Sequence, residues 1–210
     1  MTTSSRGPAS RSLVDRERSA LADLLAELGP SAPTCCAGWD TAHLAAHLVV
    51  RESRPDAGIG YGFEQLPFGR PLAAWSHAVE DRLRASTPYP EIVARLRSGP
   101  PAWMPFAWPG VGRALNTTEF TIHHEDARRA PPGWAPRQLA RADQDELWRA
   151  LGWVGRAAAM RSGGGLRLRR TDTGDERIAG RSPAKTVAGE PLELLLWASG
   201  RTGVAHVDVT

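Results

Sequence analysis

Lysine is almost absent from this chain. Of its 26 basic residues only Lys185 is a lysine, which leaves 25 arginines beside 23 acidic residues and a net charge of +3. No basic block is interleaved with aromatics in the way that tracks a nucleic-acid backbone, so no nucleic-acid partner is expected. The pairs Arg128-Arg129 and Arg169-Arg170 read as solvated surface arginine. Cysteine is scarce too. Cys35 and Cys36 are neighbours, too close for an unstrained bridge, which excludes a disulfide framework. No apolar run approaches the ~20 residues that cross a bilayer. The opening stretch MTTSSRGPASRS has no apolar core of the signal-peptide kind. A soluble, cytoplasmic protein is therefore expected, in which the sequon at Asn116 has no use. HExxH, paired CxxC and a Gly-rich phosphate loop are all missing, and so is any internal repeat.

What is present is a globular composition, 41% hydrophobic with eight tryptophans in 210 residues, enough for one large domain or a domain of ~150 residues with a smaller partner. Residues 1–10 are rich in Ser, Thr, Gly and Pro and are expected to be disordered. Residues 11–28 form an amphipathic helix on Leu13, Leu21, Leu24, Leu25 and Leu28, ended by Gly29-Pro30. Asp40 caps a second helix to Glu52. A long loop spans 53–70. Helical pattern resumes over 71–85 (Leu72, Trp75, Val79, Leu83), breaks at Pro88 and Pro90, and returns in EIVARLRS. The segment 99–111 is a loop whose Trp103, Phe106 and Trp108 call for burial. Helices follow at about 112–130 and 139–161. Beyond the glycines at 163–165, LRLRRTD and RIAGRSPAKTVAGE alternate like strands. PLELLLWASG is a helix bounded by Pro191 and Gly200, and VAHVDVT is a last strand. The plan is helices through residue 161 (11–161), then a small α+β unit (162–210) that must pack on them for stability.

The segment NTTEFTIHHEDARRA carries the chemistry. On a helical wheel Leu115, Glu119, Ile122, His123, Asp126 and Ala130 share one sector. Thr117, Thr121, His124, Arg128 and Arg129 fall mostly opposite. The apolar members make the first sector the buried one. Burying Glu119, His123 and Asp126 costs several kcal/mol unless they are paired or bind a cation. Glu119 and His123, one turn apart, reach a common ion. On the second helix Asp40, His43, His47 and Arg51 form the one polar strip, facing either solvent or a polar cavity. His47 from that strip would complete the site. Plainer accounts stand beside this one: Glu119 and His123 as a helix-stabilising pair, and His43 and His47 as the wet side of their helix.

Three segments resemble one family, the mycothiol-dependent maleylpyruvate isomerases. They are CAGWDTAHLAAHLVVRE, NTTEFTIHHEDARRA with its Glu-x-x-x-His-x-x-Asp pattern, and GEPLELLLWASGRTGVAHVDV. Within it, the chain is most similar to a shorter branch of HHEDxRRA metal-binding proteins. The resemblance implies a mainly α protein, a DinB-like four-helix bundle with a small C-terminal α+β unit. It implies a divalent metal, zinc as a rule, held by His47, Glu119 and His123. Asp126 is then a catalytic candidate as an orienting or substrate-side group. Arg201 is the counterpart of a basic C-terminal residue that holds the bound cofactor and substrate. Arg51, one turn past His47, is a second catalytic candidate that would contact an anionic group of thiol or substrate. Cys36 reads as buried loop packing. The implied activity is that of a zinc-dependent, mycothiol-dependent transferase or isomerase, whose partners are a low-molecular-weight thiol and a small electrophile. The alternatives are a non-catalytic, metal-holding binding or regulatory protein, and a metal-free network of these acids with arginines.

Overall fold

The computed structural model describes residues 11–54, 56, 70–104, 107–108 and 111–210. The expected disordered tail, most of the 53–70 loop and Phe106 lie outside the described residues, as do the side chains of Leu72 and Leu115.

Helix α1 (Leu13–Leu28) starts on Ser12, whose side chain accepts from the Asp15 amide, and ends at Gly29, where φ is 76°. Only glycine takes that left-handed geometry without strain. Helix α2 (Thr41–Ser53) is capped as expected, by the Asp40 carboxylate accepting from the His43 amide at 2.9 Å. Helix α3 (Arg70–Ser86) is followed closely by α4 (Tyr89–Ser98). Pro90 opens α4 rather than interrupting a helix, because the first turn needs no amide donor there. Helix α5 (Val111–Arg128) and the longer α6 (Arg141–Arg161) complete the helical part.

One core joins Leu21 and Leu25 of α1, Leu44 and Leu48 of α2, Ile92 and Leu96 of α4, and Phe120 and Ala127 of α5. Val50 and Val79 bind α3 to α2. A second core has a different membership. Leu147, Leu151 and Val154 of α6 pack with Leu166 and Leu168 of β1 (Gly165–Arg170), Val187 of β3 (Pro183–Gly189) and Leu192, Leu195 and Leu196 of α7 (Pro191–Ala198). Contact between α6 and β1 is close: a Cβ on Gly155 would sit 2.9 Å from Leu168 Cδ1.

The sheet runs β2-β1-β3-β4, with β2 at Glu176–Ala179 and β4 at Asp208–Val209. β1 pairs antiparallel with β2 and parallel with β3, and β4 pairs antiparallel with β3. The last strand is shorter than the alternation of VAHVDVT suggests. Val204 and Ala205 instead donate their amides back to the Arg201 carbonyl in a turn.

Several expectations about exposure need correcting. Trp103 and Trp108 are 63% and 54% exposed, so the loop before α5 does not bury them. Arg129 and Arg170 are buried rather than solvated. Helix α5 is buried on both sides, for Thr117, Thr121, His124 and Glu125 are as enclosed as His123 and Asp126. The wheel separated its two polar stripes correctly but could not show that the second also faces protein.

Candidate metal centre

The polar residues of α2 and α5 meet between the helices. His47 points its Nε2 at Glu119 Oε1 from 3.2 Å, and His123 points its own Nε2 at the same oxygen from 3.3 Å. The two imidazoles lie edge to face with centroids 5.3 Å apart, and Trp39 packs 4.9 Å from the His47 ring. These donor atoms all lie within 4.8 Å of one another. Both histidines are buried, and the Glu119 side chain is 24% exposed.

The separations carry information. Charge-assisted N–H···O bonds settle at about 2.7–2.9 Å. Arg51 Nε also stands 3.3 Å from Glu119 Oε1, so three nitrogens surround one oxygen at longer range. Donors bound to a tetrahedral zinc at about 2.0–2.1 Å are about 3.3 Å apart. Each imidazole nitrogen stands at that spacing from the carboxylate oxygen, and all three donors lie within 4.8 Å of one another, a donor set of the kind a divalent ion of the zinc class takes.

The other ring nitrogens are engaged. His123 Nδ1 lies 2.9 Å from Asp126 Oδ2, and His47 Nδ1 lies 2.9 Å from Glu80 Oε1. Asp126 is fully buried. Arg201 donates to it twice, and the Cys36 thiol donates to Oδ2 at 3.1 Å. Cys36, His123 and Asp126 also sit close enough together to suggest an ion. Their spacings are those of hydrogen bonds, and the Arg201 guanidinium already supplies the cation there. The first cluster is therefore the candidate centre. Cys36 is part of this arrangement, which corrects the reading of it as plain packing.

Electrostatics follow from these contacts. Burial works against the charge on Glu119, but Arg51, His123 and His47 outweigh it and hold the carboxyl well below 4.5. Burial likewise opposes charge on His123, yet Asp126, Cys36 and Glu119 lift it well above 6.5 in the metal-free protein. Asp126 is depressed in spite of its burial by His123 and Arg201. The Cys35 thiol is pushed up to about 11 by burial and by the neighbouring Asp126 and Cys36, so it is not a ready thiolate.

All six residues singled out from the sequence (His47, Arg51, Glu119, His123, Asp126 and Arg201) fall in this one region. Their contacts refine the expectations. Arg51 donates from Nη1 to Asn116 Oδ1 at 2.7 Å, and Asn116 in turn donates to Glu52, which is paired with Arg18. Arg201 spends its donors on Asp126, the Ser199 carbonyl and Cys36. Sequence reasoning missed Glu80 and His77 of α3, where Glu80 Oε2 lies 3.2 Å from His77 Nδ1. The signal was there: Glu80 adjoins Val79 and stands one turn from Leu83, an acid on the apolar stripe.

No family model and no curated protein matches the chain. Solved structures do. The crystal structure of a mycothiol-dependent maleylpyruvate isomerase covers 94% of this chain and 90% of its own, with a TM-score of 0.57 and 18% sequence identity. A variant of that enzyme with one histidine changed to alanine matches with the same figures. The chain thus has the mainly α, DinB-like fold of these isomerases with a small sheet beside it.

Proposed function

We propose that the protein is a divalent-metal enzyme, zinc being the ion that fits, which uses a low-molecular-weight thiol to isomerise or transfer onto a small electrophile. The observation that carries this reading is the convergence of His47, His123 and Glu119, with the two Nε2 atoms 3.2 and 3.3 Å from Glu119 Oε1 and one donor atom of each residue within 4.8 Å of the others. The fold supports it, since the neighbouring structures are of an enzyme described as mycothiol-dependent; mycothiol is accordingly the thiol proposed.

His47, Glu119 and His123 would hold the ion and leave a further coordination position, as catalytic sites do. The metal's chemistry is to lower the pKa of a thiol bound there and keep it as thiolate at neutral pH. The chain's own residues do the rest. Asp126 accepts the His123 Nδ1–H, which would leave the Nε2 lone pair for the ion. Arg201 fixes Asp126 in turn, and so acts on the site through it. Trp39 closes one side of the His47 ring against water. Arg51, whose guanidinium faces Glu119 and Asn116, would be the cation beside the site that meets an anionic group of thiol or substrate.

Metal analysis of tag-free protein beside Glu119→Ala and His123→Ala tests the reading. About one ion per chain, lost in both variants with the fold intact, is expected. Thiol-dependent loss of a chromophoric electrophile should then require the metal-loaded wild type. Metal without any thiol effect would make this a metal-holding binding protein. No metal, even after zinc is offered, would leave a buried ion-pair network.

A further inference from the structure

The imidazoles facing Glu119 are backed by differently built supports. His123 leans on Asp126 of its own helix, whose charge the Arg201 guanidinium balances. His47 leans on another element altogether. Its Nδ1 meets Glu80 Oε1 of α3 at 2.9 Å, and the second oxygen of Glu80 meets His77 Nδ1 at 3.2 Å. Glu80 is 5% exposed and sits between Val79 and Leu83, residues through which α3 packs on Val50 of α2. A carboxylate buried there is costly unless its partners repay it. A helix that only had to pack on α2 would carry an apolar residue in its place.

We propose that Glu80 is a positioning residue of the metal centre. It accepts the Nδ1–H of His47, which fixes the tautomer with its lone pair on Nε2 and turns the ring toward Glu119. His77 steadies the other oxygen, so that Oε1 stays on His47. Helix α3 thereby belongs to the site although it supplies no ligand, and the docking of α3 on α2 sets the aim of His47. The inference rests on the metal reading above.

The experiment is zinc affinity by competition with a chromophoric chelator, for wild type, Glu80→Gln, Glu80→Ala and His77→Ala, beside the melting temperature of each protein without metal. Glu80→Ala should weaken zinc binding about 10–100-fold. Glu80→Gln should lose less, because its amide oxygen still accepts from Nδ1–H, and His77→Ala should lose least. If Glu80→Ala does not fold, Glu80→Gln and His77→Ala carry the comparison. Affinity losses that simply track the metal-free melting temperatures would overturn the inference and give Glu80 a structural role alone. Equal affinity in all the folded proteins would overturn it and leave the metal site standing. A wild type that takes up no zinc would overturn both.

Discussion

Arg201 lays its guanidinium across both oxygens of Asp126, with Nη2 2.8 Å from Oδ2 and Nε 3.0 Å from Oδ1. The loop after α7 thus reaches the helix that carries Glu119 and His123. Removing one member of a buried pair leaves the other charge uncompensated. Arg201→Ala should therefore lower the stability of the metal-free protein by about 3 kcal/mol in urea unfolding. Arg201→Lys should recover less than half of that, since an ammonium cannot span both oxygens. A loss below about 1 kcal/mol, the range of exposed pairs, would show that water replaces the guanidinium.

The pH dependence of the metal-free protein has two limbs. Asp126, Glu17 and Glu125 are buried, which alone would raise them. His123 and Arg201 lower Asp126 below 3.8, His124 and Arg137 lower Glu17 below 4.5, and Arg137 and Arg129 lower Glu125 below 4.5. Their folded forms bind fewer protons than the unfolded chain, so the stability they add is present above about pH 4.5 and is lost as pH falls through the folded values. His123 is raised, so its contribution is complete below about pH 6.5 and is lost as pH rises through its folded value. Urea midpoints between about pH 3 and pH 9 should peak between these limits. A midpoint that keeps rising to about pH 9 would contradict the charged His123.

Zinc binding should oppose the second limb. Coordination through Nε2 requires an imidazole that has released a proton there, so apparent zinc affinity should rise with pH through the His123 value. Calorimetric titrations in buffers of differing ionisation heat would read the proton release directly. Binding that releases no proton at neutral pH would place the ion elsewhere.

Behind the candidate centre, α5 carries a second ionic network. Arg129, just past the end of α5, donates to Glu125 of that helix at 2.5 Å and to both oxygens of Glu193 on α7, and Arg137 links Glu125 to Glu17 of α1. Glu17 also meets His124 Nδ1 at 2.7 Å. Arg129→Ala should cost about 3–5 kcal/mol in chemical denaturation, with zinc content unchanged in the folded fraction. A zinc loss as large as that of His123→Ala would mean that the two faces of α5 are one unit.

The cap of α2 allows a milder test. Asp40→Ala removes the acceptor of the His43 amide and should cost about 1 kcal/mol without altering metal content. A cost near zero would show that Thr34, which bonds the Trp39 carbonyl, holds the chain entry alone.

Much of this was legible in residue spacing. The i,i+4 pair Glu119–His123 and the helical wheel of α5 put the candidate ligand atoms on one face, and an otherwise apolar α2 left His47 as their proposed partner. Tertiary facts were not legible. A wheel cannot say that both sides of a helix are covered, so the side carrying His124 was left out of the buried sector and Arg129 was read as solvated. Glu80 escaped because its stripe was read for apolar residues alone. Trp103 and Trp108 show the converse error, in which large aromatic area was taken as a promise of burial; hydrophobic residues are inside more often than not, but the rule runs one way. Cys36 has a weak donor that finds Asp126 only once the loop before α2 lies against α5, where the Cys35 amide donates to the Asp126 carbonyl at 2.9 Å.

The span from Asp126 to Arg201 also sets an order of events during synthesis. A ribosome releases the aspartate 75 residues before its cation, and Arg129 likewise precedes Glu193 by 64. A nascent chain that has already paired α1, α2 and α5 has Asp126 with His123 but not Arg201, and Arg129 with Glu125 but not Glu193. The arrival of α7 and the turn after it supplies the missing partners. Completion of the support behind His123 is thus tied to the synthesis of α7 and the turn after it.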